Sequence, residues 1–135
     1  MTKLSAQEAL VYLMVIMSAS DRDMGDEELA RIGAIVRTLP VFRGFDQAQT
    51  LFVAQNCQRE LAEDGGFESV LGRIRDALSP EFRETGYALA VDIAAADRTL
   101  RAEEDRILDI LKARFGLDVL AAAAIERAAA IRHRF

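Results

Sequence analysis

Ala19-Ser20-Asp21-Arg22-Asp23-Met24-Gly25-Asp26-Glu27-Glu28 returns 76 positions later as Ala95-Ala96-Asp97-Arg98-Thr99-Leu100-Arg101-Ala102-Glu103-Glu104. The same shift pairs Leu13-Met14-Val15 with Leu89-Ala90-Val91, and seven of the sixteen positions from 13 to 28 are identical. Further on, Ile32 aligns with Leu108 and Ile35 with Leu111, and the helix-stopping Pro40 falls opposite Gly116. Helical composition alone gives scattered matches but not matching stops, so the pattern reads as an internal duplication. Each copy is a helix, an acidic turn closed by an apolar residue (Met24 or Leu100), and a second helix with a Glu pair in its first turn. Carboxylates are favoured there, because the unpaired amides and the helix dipole both attract negative charge.

Working outward, Ser5-Ala6-Gln7-Glu8 is a capping box that opens a first helix running to about Ala19, with Ala6, Leu10, Leu13 and Met17 on one face. Met14 and Met17 belong to an apolar helix in the middle of a bundle. The second helix starts near Asp26, carries Leu29, Ile32, Ile35 and Leu39 on a stripe, and stops at Pro40. Asp46-Gln47-Ala48-Gln49 is a second capping box, opening a third helix that ends near Ala62. Gly65-Gly66 is a turn, because no Lys or Ser follows it to make a phosphate loop. Phe67, Val70, Leu71, Ile74 and Leu78 mark helix four. Ser79-Pro80 starts helix five, which runs through Phe82, Leu89 and Ile93 to about Asp97. Helix six spans roughly Ala102 to Phe115 with Ile107, Leu108, Leu111 and Phe115 inward, and the Ala-rich stretch from Asp118 to Phe135 is helix seven. No strand pattern or long linker interrupts them. The expectation is an all-α bundle of seven helices in one domain, residues 1–135, with a pseudo-two-fold repeat of the helix–loop–helix.

The 135 residues are 51% apolar and 29% charged, enough to bury a core. A formal charge of −5 argues against nucleic acid, which needs a basic face, and leaves cations and basic protein surfaces as partners. The longest apolar run, Ala9 to Ala19, is too short to span a membrane. Cys57 is the only cysteine, which fits a reducing compartment, and the start of the chain leads into a helix cap rather than a signal sequence. These features read as cytoplasmic.

With both hairpins set out, the chain resembles the tellurite-resistance TerB family. That family's signature is Ala-Ala-Ala-Asp-Gly-x-apolar-x-x-Glu-Glu, in two pseudo-symmetric copies. Arg22 and Arg98 stand where the family usually has glycine, which bears on the loop geometry more than on the fold. The resemblance implies an all-helical, cytoplasmic stress-response domain with no assigned reaction. It also implies a role in metal-linked assemblies that include a TerC-like integral membrane protein.

From Asp21 to Glu28 the first hairpin has five carboxylates against one arginine; from Asp97 to Glu104 the second has three against two. Hard cations want several oxygen ligands, so one reading puts a divalent cation at Asp21, Asp23, Glu28, Asp97 and Glu104. It is not an EF-hand, since Gly25 and Ile32 fall where ligands are needed. The commoner reading is that these acids cap helix starts. Asp92 takes the place of Ile16 in the other copy. It reads as a surface residue at the edge of the stripe, and a partly buried carboxylate would need a partner. His133, the only histidine, reads as an exposed terminal side chain, and Cys57 as a buried structural thiol. No catalytic residue is assigned. The reading is a binding module of the tellurite-resistance type. Its rivals are a carboxylate-metal hydrolase, which needs the two hairpins to converge on a cleft, and a ligand-free adaptor or homodimer. An exposed apolar patch on helix four or seven would favour the adaptor.

Overall fold

The computed structural model describes residues 3–18, 25–96 and 102–134. Among these residues there are seven α-helices and no strand: α1 Ala6–Ser18, α2 Asp26–Thr38, α3 Thr50–Leu61, α4 Gly66–Ala77, α5 Pro80–Ala96, α6 Ala102–Phe115 and α7 Val119–Arg132. Two 3-10 turns, Pro40–Phe42 and Gln47–Gln49, join α2 to α3.

The first capping box forms as its spacing requires. The Ser5 amide donates to Glu8 Oε1 at 2.8 Å, and the Glu8 amide donates to Ser5 Oγ at 3.0 Å. Asp46 caps a 3-10 turn instead of α3 itself, accepting from the Ala48 amide at 3.0 Å, so the regular helix begins only at Thr50. Gly65 takes a left-handed φ of 69° as the N-cap of α4, and a Cβ at Gly66 would stand 2.2 Å from the Glu60 carbonyl oxygen. The glycine pair lets α4 turn tightly over the end of α3. Gly116, φ 62°, ends α6, and Asp118 caps α7 by accepting from the Ala121 amide.

The expected face of α1 is too narrow. Every residue from Ala9 to Met17 is buried, as a helix apolar on all sides must be. It packs against α5, α3, α4 and α2, while α5 packs against α1, α7 and α6. α1 and α5 are thus the central pair. A Cβ at Gly86 would lie 2.6 Å from Leu13 Cδ1, so this glycine lets the two backbones approach closely. In each half the third helix of the sequence leans on the first, α3 on α1 and α7 on α5. The stripes of α2 and α6 hold in outline, with Ile32, Val36, Leu111 and Phe115 buried and Leu29, Ile35, Ile107 and Leu108 partly so. Phe82 departs from its expected inward place and is 40% exposed at the start of α5.

Candidate functional site

The second helix of each hairpin brings the glutamate at the repeated spacing to the third helical position. In α2 that residue is Glu28, counted from the N-cap Gly25. Its carboxylate folds back over the cap, with Oε2 2.6 Å from the point where a Cβ on Gly25 would stand. Negative charge there faces the free amides of the first turn, alongside Asp26 and Glu27. Glu28 is partly exposed.

In α6 the matching residue is Glu104, and its setting differs. It is 2% exposed, the only charged residue in the buried set of the described chain. A carboxylate this deep must be met by polar or cationic groups to remain ionised. The other three proposed ligands, Asp21, Asp23 and Asp97, lie outside the described residues, as do Arg22, Met24, Arg98 and Leu100. Among the described residues no cluster of three or more His, Cys, Asp or Glu side chains has the arrangement to hold a metal ion.

Three further polar clusters hold the helices that carry the hairpins. Tyr12, buried on α1, donates its hydroxyl to Glu60 on α3, and Glu60 also pairs with Arg73 on α4. Tyr87, buried on α5, donates to Glu126 Oε2 on α7 at 2.6 Å, and the same oxygen lies 3.3 Å from Lys112 Nζ on α6. Burial first, then the hydrogen bond to the glutamate, pushes both phenols well above their ordinary range. A buried tyrosine needs a partner for its hydroxyl, and that was the available signal: Tyr12 sits inside an otherwise apolar helix. The identity of the partner is set by tertiary packing, 48 residues away.

Asp92 is the third cluster. Its Oδ1 accepts from Arg132 Nη2 and lies 3.6 Å from His133 Nε2, both at the end of α7. The carboxylate is at the edge of the stripe, as expected, but it is held by partners. His133 is accordingly docked against α5 rather than loose at the terminus. Cys57 is buried, donating weakly to the Tyr12 carbonyl at 3.8 Å, and burial pushes its thiol well up. That is the structural cysteine the sequence suggests.

Large apolar side chains are exposed at both ends of α7. Val119 and Leu120 are 80% and 78% exposed, and Ile131 is half exposed on the same helix. No described helix is long and apolar enough to cross a membrane.

A family model described as tellurite resistance protein TerB matches residues 7–132, nearly the whole chain. No curated protein matches the chain significantly. No solved structure does either.

Proposed function

Since the chain belongs to the TerB family of tellurite resistance proteins, we propose that it is a non-enzymatic binding module whose two acidic hairpins take a divalent cation and present it to a protein partner. The observation that carries this reading is the repeated glutamate at the third position of α2 and α6, Glu28 and Glu104, each at the same sequence spacing from an Asp-Arg pair, Asp21-Arg22 and Asp97-Arg98. The five carboxylates of the first hairpin make it the stronger cation site, with Asp21, Asp23 and Glu28 as ligands. Asp97 and Glu104 serve the second. The partner is the cytoplasmic face of a TerC-like integral membrane protein, which puts this chain in the cytoplasm beside the membrane.

Affinity capture from cells challenged with tellurite tests the partner. The native chain is expected to recover a membrane protein in buffer containing divalent cations, and to lose it with chelator or with Asp21→Asn/Asp23→Asn/Glu28→Gln. Equal recovery under all three conditions contradicts the reading. A second reading, an adaptor or homodimer with no ligand, draws support from the exposed Val119, Leu120 and Ile131 on α7. It predicts self-association, measurable by sedimentation, that Leu120→Glu abolishes and chelator leaves unchanged.

A further inference from the structure

Helix α7 packs chiefly on α5, whereas α3, its counterpart in the first half, is flanked by α1, α4 and α2. A helix on the surface of a bundle ordinarily pairs an apolar inner face with a polar outer one. α7 does not. Ala122 and Ala129 are buried on its inner side. Opposite them, spacings of four, three and four residues put Leu120, Ala124, Arg127 and Ile131 on one outward face, and all four are exposed.

The charge on this face has a single sign. From Val119 to Arg134 the exposed charged side chains are Arg127, Arg132 and Arg134. Arg132 is shared with Asp92. The nearby acids are turned to other work: Glu126 is drawn inward to Tyr87 and Lys112, and Asp118 holds the Ala121 amide at the helix start. In a chain whose net charge is −5, a face that is both apolar and basic is a segregation of charge, not the average surface. An isologous contact with a second copy would set this basic face against itself. An anionic lipid surface matches it in both respects, with acyl chains for the apolar side chains and phosphates for the guanidinium groups.

We propose that α7 lies along an anionic lipid surface through this face, with Leu120 and Ile131 in the apolar layer and Arg127 and Arg134 against the headgroup phosphates. The negative charge elsewhere does not prevent this. The helices behind α7 stand back by about 8–10 Å, and screening at physiological salt weakens charges beyond about 8 Å. The contact goes beyond the cation reading and does not depend on it.

Co-sedimentation of the full chain with vesicles in chelator tests the proposal. Binding to vesicles of equal parts phosphatidylglycerol and phosphatidylcholine is expected to exceed binding to pure phosphatidylcholine by at least about tenfold. The substituted side chains are exposed, so the variants should keep the native helical circular dichroism. Arg127→Gln/Arg134→Gln should weaken binding to the anionic vesicles about 25-fold, at about fivefold for each arginine. Leu120→Gln/Ile131→Gln should weaken binding to a similar extent. Asp21→Asn/Asp23→Asn/Glu28→Gln should bind as the native chain does, which separates this contact from the cation site. The proposal is overturned by no binding, by equal binding to both vesicles, or by folded arginine or apolar variants that bind unchanged. A native chain that sediments as a dimer without lipid, and that Leu120→Gln/Ile131→Gln splits, would assign the face to a second copy and overturn it as well.

Discussion

The α1–α2 and α5–α6 hairpins share their spacing and differ in their surroundings. In the first, α1 is apolar on every side and Glu28 lies partly exposed over its own helix cap. In the second, α5 carries Asp92 where α1 has Ile16, and Glu104 is turned into the interior. The difference teaches that a repeated motif fixes where a carboxylate enters a helix, not what that carboxylate then meets. The burial of each glutamate is decided by the helices packed on it. The Glu28 carboxylate is the more open to solvent, and the Glu104 carboxylate is the more enclosed by the fold.

Substitution of the two glutamates gives the largest expected contrast. Glu104→Ala empties a buried polar position and is expected to cost about 3 kcal/mol. Glu28→Ala removes a partly exposed helix-start charge and should cost below about 1 kcal/mol. Urea unfolding of both variants checks this, and equal losses would erase the distinction between the hairpins.

The tyrosine pairs should behave alike in the two halves. Tyr12→Phe and Tyr87→Phe each remove a hydroxyl bonded to a glutamate that keeps a basic partner, at a cost of about 1 kcal/mol. Their protons also link stability to pH. Both phenols ordinarily titrate at 10.0 and are raised in the fold, so above pH 10 the folded state holds protons that the unfolded chain has released. The stabilisation is therefore complete below pH 10 and is lost as pH rises beyond it. Denaturation midpoints at pH 8 and pH 11 should differ in the native protein, and less so in the double Tyr→Phe variant. Phenolate absorbance should appear only on unfolding.

The smallest effect is expected at Asp92. Asp92→Ile copies the first half into the second, giving up the contacts with Arg132 and His133 in exchange for apolar area. The pair is partly exposed, so the change in stability should stay within about 1 kcal/mol. A thermal melt reads it directly, and a large loss would make the α7 end a structural lock.

Most of this fold is legible in the sequence because its signals are local. Ser5 and Glu8, Pro80, Gly116 and Asp118 mark helix ends by chemistry within four residues. The sequence misjudges Phe82, because exposure depends on which helix stands opposite. It also leaves out the partners of Tyr12, Tyr87 and Asp92, which are 39 to 48 residues distant. Of the five candidate ligands, Glu28 and Glu104 have a described setting. Nothing in the spacing of the motif distinguishes them; only their packing does.

Whether the first acidic hairpin binds a cation is decided by isothermal titration. Ca²⁺, Mg²⁺, Mn²⁺ and Zn²⁺ are each titrated to millimolar concentration into the native chain, Asp21→Asn/Asp23→Asn/Glu28→Gln, and Asp97→Asn. Saturable heat is expected for at least one cation, abolished in the first-hairpin variant and largely kept in Asp97→Asn. No heat with any of the four, or loss confined to Asp97→Asn, would contradict it.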